Sequence, residues 1–233
     1  MGNKSHFFRQ SGGGVIGSPF LNFRFEETET TNVIENLNGF NAVLVGSTSI
    51  QNNLGYIGKG YLFDGTSYVE TQPITQNYPF SYKVWFNSIN GTSRSIIRAF
   101  DGNRNGVNIT SVNRGITILF GNGESTSNSG LKQMSAKDFT YNNNEWYQIV
   151  LVVNGFLDID LYLNNILYQG AYDLAGSATH AKLDNISYKI GGIPIYSDNS
   201  STLIDEVTFF DKGLTQEEIT EIYNKESNGI RVF

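Results

Sequence analysis

The strongest constraint on the fold is a periodicity of two. In Leu157-Asp158-Ile159-Asp160-Leu161-Tyr162-Leu163 the apolar Leu157, Ile159, Leu161 and Leu163 share one side. Asp158, Asp160 and Tyr162 share the other, as in a half-buried strand. Ile116, Ile118 and Phe120 alternate in the same way. Residues 146–153 (WYQIVLVV) are apolar on both sides, which predicts a central strand covered on both faces. Further strands are predicted at 61–64, 67–70, 80–87, 95–100, 107–112, 186–190 and 202–210. Between the strands stand Asn90-Gly91, Asp101-Gly102, Asn122-Gly123, Asn142-Asn143-Asn144 and Asn154-Gly155, residues that accept the backbone angles of tight turns. Many short strands so punctuated predict an all-β sandwich of antiparallel sheets.

One segment near the end has helical character. Thr215-Gln216-Glu217-Glu218 is a capping box, with Leu214 and Ile219 placed as a hydrophobic staple. Ile219, Ile222 and Tyr223 form the stripe that would dock on the sandwich, and Asn228-Gly229 ends the helix.

Composition removes several chemistries. The chain has no cysteine, so it can hold no disulfide, thiolate metal site or cysteine nucleophile. Its two histidines, His6 and His180, are too few for a multi-histidine zinc centre. A formal net charge of −6 argues against a nucleic-acid backbone binder, which needs clustered Lys and Arg. No run of about 18 apolar residues is present, so no membrane insertion is expected. The opening residues lack the apolar core and cleavage site of a Sec-type signal peptide. Four Asn-x-Ser/Thr triplets, beginning at Asn90, Asn108, Asn185 and Asn199, are read as chance in an Asn-rich chain.

Residues 20–224 carry a resemblance built from several short motifs. They are Asn36-Leu37-Asn38-Gly39-Phe40-Asn41-Ala42, Gly60-Tyr61-Leu62-Phe63-Asp64-Gly65-Thr66-Ser67-Tyr68-Val69 and Phe80-Ser81-Tyr82-Lys83-Val84-Trp85-Phe86. Glu145-Trp146-Tyr147-Gln148-Ile149-Val150, Leu161-Tyr162-Leu163-Asn164-Asn165 and Ile190-Gly191 follow. Ile204-Asp205-Glu206-Val207 and Leu214-Thr215-Gln216-Glu217-Glu218-Ile219 complete the series. In order and spacing the set resembles the laminin G-like domains of the concanavalin A-like lectin/glucanase superfamily. Asn165 stands where that pattern has glycine, a position asparagine tolerates at positive φ. The resemblance implies a jelly-roll sandwich of two antiparallel sheets with one short C-terminal helix, a glycan or protein ligand, and often a calcium ion. The fold alone names no function.

Asp158 and Asp160 lie at the spacing of a retaining glycosidase pair, about 5–5.5 Å. The next residue on their side is Tyr162, however, and no three-carboxylate array follows. They are read as a solvated strand face, and no catalysis is expected. Asp205 shares a side with Leu203, Val207 and Phe209 in the predicted strand, so its charge must meet backbone N–H groups, a cation or a metal. Calcium, with Asp205 and Glu26 as ligands, is one expectation, and a backbone-bonded Asp205 is the other. Asp64 in its Phe63-Asp64-Gly65 turn carries the same choice. Three loops combine aromatic rings with hydrogen-bonding side chains suited to sugars: Asp101, Asn103 and Arg104; Tyr141 and Asn143; and Tyr196 and Asp198. Trp85 and Trp146 are placed in the core.

Residues 1–18 differ from the domain at 19–233. Lys4, Phe7, Phe8 and Arg9 precede the joint Ser11-Gly12-Gly13-Gly14, as expected of an arm that docks on a protein partner or packs on its own domain. The expected function is a non-enzymatic glycan-binding or decoration module, displayed through this arm on a virion or other extracellular assembly. A purely structural decoration protein and a polysaccharide-degrading enzyme are the alternatives, and a second copy of the chain is a further candidate partner.

Overall fold

The computed structural model describes residues 16, 18–26, 32–34, 41–46, 49–51, 54–90, 94–100, 103–191 and 201–233. The first strands in chain order are β1 (Leu21–Phe23), β2 (Asn32–Ile34), β3 (Asn41–Val45), β4 (Ser49–Gln51), β5 (Gly60–Phe63) and β6 (Tyr68–Glu70). Next come β7 (Phe80–Ser88), β8 (Arg94–Phe100), β9 (Arg104–Val112), β10 (Gly115–Asn122), β11 (Leu131–Ala136) and β12 (Trp146–Gly155). The last are β13 (Asp158–Leu163), β14 (Ile166–Leu167), β15 (Tyr172–Gly176), β16 (Tyr188–Ile190) and β17 (Thr202–Phe210), followed by helix α1 (Gln216–Ser227).

These strands make two antiparallel sheets packed as a jelly-roll sandwich. One runs β14-β13-β12-β7-β17-β5-β4, with β1 beside the second half of β17. The other runs β15-β11-β10-β9-β8-β16-β6-β3-β2. The core between them takes one side of the longer strands, including Phe63, Phe86, Ile109, Ile118, Leu151 and Leu161. Strands β11 and β15 escape sequence reading because LKQMSA and YDLAG do not alternate cleanly.

The doubly apolar β12 has its cause in α1. Ile149, Leu151 and Val153 enter the main core, whereas Val150 and Val152 lie with Phe210, Leu214, Ile219 and Ile222 in a second cluster outside the sheet. The capping box forms as expected. Thr215 Oγ1 accepts from Glu218 N at 3.3 Å, and Glu218 Oε2 accepts from Thr215 N at 3.0 Å. Gly229, at φ 72°, closes the other end, where its N–H and that of Ile230 reach the carbonyls of Glu226 and Lys225. Ile16 also packs on the second cluster, inside the stretch expected to be an arm.

The expected side of Asp205 is corrected. Ile204, Val207 and Phe209 enter the main core, and the register of β17 slips between Asp205 and Thr208, with Glu206 at φ 51°. One extra residue reverses the alternation. Asp205 and Glu206 therefore both turn away from the sandwich core. Trp146 is also corrected: it is half-buried, edge-on to Tyr56 at 5.8 Å, while Trp85 is buried as expected.

Candidate functional site

The outer side of the nine-stranded sheet departs from the usual rule that a solvent-facing side is exposed. Along β8–β11 the residues alternating with the core are Arg98, Asn108, Thr110, Thr117, Leu119 and Gln133. Thr110 is 0% exposed, Thr117 and Asn108 2%, and Leu119 9%. A side that is polar in sequence yet shielded from water is concave. It forms a groove of about 190 Å³ floored by Thr110, Thr117, Leu119 and Gln133. Arg98 and Arg104 also line it, and Asn128, Leu131 and Gly176 help to close it. That is smaller than the roughly 300–1,000 Å³ of pockets for drug-sized ligands, and suits one sugar residue of a longer chain.

Local irregularities aim these side chains. The β8–β9 register shifts on both sides of Ile97, and Asn108 fills the bulge by accepting from Ala99 N and donating to Asn105 O and Leu119 O. Such a bulge re-aims its neighbours, here Arg98. Arg104 is fixed by Nε donating to Thr126 O at 2.9 Å, and by backbone bonds to Ser125 and Gly123. Its backbone passes so close over Gly121 that a Cβ there would lie 2.4 Å from the Arg104 carbonyl carbon. The wall from 125 to 130 is held by the Ser125, Ser127 and Ser129 hydroxyls, with Ser127 capping a single 3-10 turn. On the floor, Thr117 Oγ1 and Gln133 Nε2 both meet Ser135 Oγ, at 3.0 and 2.8 Å. Among the described residues that line the groove there is no Asp or Glu, so these offer no carboxylate pair for acid–base chemistry.

The expected ligand loops fare unevenly. Arg104 lines the groove; Asn103 is exposed and donates to Gly123 O at 3.0 Å. Tyr141 is corrected. It is 1% exposed, its ring edge-on to Phe86 at 5.2 Å and its hydroxyl 2.7 Å from Ser111 Oγ, because an aromatic beside a strand end gains more from the core than from solvent. Asn143 accepts from Ser88 Oγ at 2.6 Å and locks its turn. This turn sits with Arg114, at the end of β9 opposite Arg104, so the structure does not unite the two loops. Asp101, Tyr196 and Asp198 lie outside the described residues, as do Lys4, Phe7, Phe8 and Arg9. Asp158 is exposed and Asp160 accepts from Asn154 Nδ2 at 3.1 Å, both on the other sheet. Sequence reading missed Thr110, Thr117 and Gln133. For Thr110 and Thr117 the available signal was alternation with core residues, hidden at Asn108-Ile109-Thr110 by its likeness to a glycosylation triplet, whereas Gln133 lies on β11, which does not alternate cleanly.

The position expected for calcium is occupied by an ionic network. Asp205 accepts from Ile57 N at 3.0 Å and Glu206 N at 2.8 Å, the backbone-bonded alternative. Burial, then the neighbouring Glu206 charge, pushes its carboxyl well above the usual range; burial also raises that of Glu206. Glu26 accepts from Lys59 N at 2.9 Å and pairs with Arg231, whose Nε donates to Glu206 Oε1 at 2.6 Å. Nearby, Glu226 pairs with the fully buried Lys83 and accepts from Trp85 Nε1 at 2.6 Å and Gln148 Nε2 at 3.0 Å. Asp64 accepts four hydrogen bonds from Thr66 and Ser67; slight burial raises its carboxyl, but these bonds outweigh that and hold it below its ordinary value. Among the described residues no group of three or more His, Asp or Glu is arranged to hold a metal ion. No helix among them is long and apolar enough to cross a membrane.

Against known proteins, the family model Laminin_G_3, described as concanavalin A-like lectin/glucanases superfamily, matches residues 63–220. The chain belongs to that superfamily. No curated protein is similar in sequence. Among solved structures, the botulinum neurotoxin serotype D ligand-binding domain in complex with N-acetylneuraminic acid is similar at 17% identity and TM-score 0.64, over 89% of this chain and 50% of that one. The binding domain of Paraclostridial Mosquitocidal Protein 1 is similar at 14% identity and TM-score 0.67, over 88% and 52%. The binding domain of botulinum neurotoxin serotype G is similar at 12% identity and TM-score 0.64, over 88% and 50%. The chain thus spans about half of each, and at these identities the likeness is one of fold.

Proposed function

We propose that this domain is a non-enzymatic recognition module that binds a glycan in the outer-face groove. The observation that carries the reading is the groove's described lining: shielded hydroxyl and amide groups beside half-buried guanidinium groups, with no carboxylate among the described residues. Such a set can hydrogen-bond sugar hydroxyls but cannot supply the acid and base of glycoside hydrolysis. A structure similar over half of its own length was solved in complex with N-acetylneuraminic acid, which makes saccharides the first ligand class to test. A groove of this size gives weak single-site affinity, raised by multivalent display. Display on a virion or other extracellular assembly, through residues 1–18, is the setting that suits such a module.

A glycan array probed with multimerised protein tests the binding. Hits that disappear in Gln133→Ala, with the melting temperature unchanged, support the groove. Binding to no glycan refutes the module, and hits indifferent to Gln133→Ala move the site elsewhere. For display, removing residues 1–15 spares Ile16 and its packing. The truncated domain should still fold and fail to join its assembly; successful incorporation refutes the arm.

A further inference from the structure

Resting on the glycan reading, we propose that the groove selects an N-acetylated sugar and that the acetamido group sits over Gln133. The floor is not uniformly polar. Leu119 and Leu131 line it, with 9% and 7% of their surface exposed, yet neither joins either of the two hydrophobic clusters. The sheet register gathers apolar side chains around one amide. Gln133 on β11 stands directly opposite Leu119 on β10 and Ala175 on β15. Leu131 and Ser135, each two residues away along β11, share its side of the sheet. Leu119, Leu131 and Ala175 therefore border Gln133 on three sides, and the Ser135 hydroxyl borders it on the fourth.

An amide ringed by apolar groups matches a ligand group that is itself an amide carrying a methyl. Gln133 Nε2 donates to Ser135 Oγ at 2.8 Å, which holds the side chain and leaves Oε1 as the acceptor for the ligand's N–H. The acetyl methyl then rests on Leu119 and Leu131. Their small residual exposure is contact for one methyl group, and not for the flat face of a sugar ring. A sugar with a hydroxyl in place of the acetamido group sets a polar atom over the same leucines. It forgoes the gain from covering them and desolvates its hydroxyl against an apolar surface. Thr110 and Thr117, opposite each other in the next row of the floor, meet the ring hydroxyls.

Sugars that differ only at C2 test the proposal: methyl glycosides bearing acetamido, formamido or hydroxyl groups, in the glucose, galactose and mannose configurations. Each competes with an array hit, and saturation-transfer NMR maps which of its protons touch the protein. In at least one configuration the acetamido sugar should bind at least about tenfold more tightly than the hydroxyl sugar. It should exceed the formamido sugar by about fourfold to tenfold, the worth of one buried methyl group. Its methyl protons should receive the strongest saturation. Leu119→Thr removes the apolar contact but keeps a strand-forming residue, so the acetamido and formamido sugars should become equal. Circular dichroism and melting temperature verify that the variant is folded; if it is not, the wild-type ratio and the methyl saturation decide. Equal affinity of acetamido and formamido sugars, a preference unchanged in folded Leu119→Thr, or saturation centred on ring protons overturns the acetamido specificity and leaves glycan binding intact. Array hits that contain no N-acetylated sugar, or hits that no acetamido sugar displaces, have the same consequence. Absence of binding to these sugars and to every array glycan overturns both readings.

Discussion

Replacing Glu226 by glutamine removes one charge from the deepest ionic contact in the protein while nearly preserving shape. Lys83 and Glu226 are both fully buried in their side chains, between β7 and the last turn of α1. Without the carboxylate, the Lys83 ammonium stays in a low-dielectric site with its main counter-charge gone. Breaking a buried pair from one side costs about 3–5 kcal/mol. The lower end is expected, because Lys83 also acts on the carboxylate of Glu206. For a domain of this size the loss corresponds to a fall of roughly 6–20 °C in Tm. Lys83→Met alone strands the carboxylate and should cost a similar amount. The double variant Lys83→Met, Glu226→Gln removes both charges and leaves an amide oxygen to accept from Trp85 Nε1, as Glu226 now does. It should recover at least about 2 kcal/mol relative to the sum of the single losses. Urea unfolding of the four proteins, followed by tryptophan fluorescence, measures this coupling. Additive losses, or single losses below about 1 kcal/mol, would refute the view that the helix is held to the sheet through this buried pair.

Three further outcomes follow from the geometry. Asp205 has a raised carboxyl pKa in the folded state, so its contribution is fully present below the unfolded value of about 3.9 and is lost as pH rises through the folded value. Unfolding free energy should therefore decline upward from about pH 4, and Asp205→Asn should make that slope shallower; an unchanged slope in urea titrations across pH would discount the residue. Gly121→Ala sets a methyl group against the Arg104 backbone and should cost about 1–3 kcal/mol, with weakened groove binding, by thermal unfolding and ligand titration; a neutral variant would contradict the close crossing. Chelation with EDTA should leave Tm unchanged, since Asp205 and Glu26 already bond to backbone N–H groups and Arg231; a rise in Tm with added calcium would show a metal site after all.

Asp205 shows where local reading stops. Strict alternation puts it with Val207 and Phe209, and only the bulge at Glu206 separates them. A bulge adds one backbone residue without a distinctive side chain, so it leaves little trace in composition. Tyr141 shows a second limit. An aromatic ring beside three asparagines reads as a ligand platform, yet a cavity among Phe86, Tyr147 and Ser111 takes it inward. Glu226 shows a third, since nothing in its helix foretells that Lys83, Trp85 and Gln148 wait beneath it.

The sequence by itself determined most of the long strands, that β12 is covered on both sides, where α1 starts and ends, and that cysteine and multi-histidine chemistry are absent. These properties depend on neighbours within a few residues, through side-chain alternation, capping bonds and turn angles. Tertiary structure decided the site. Period two tells that Arg98, Thr110 and Thr117 leave the core, but not that the sheet's outer side is concave there. Nor does it place Arg98 beside Lys189, or Arg104 over Gly121. Such adjacency is set by strand register across long connections, where each pairing depends on the whole packed sandwich.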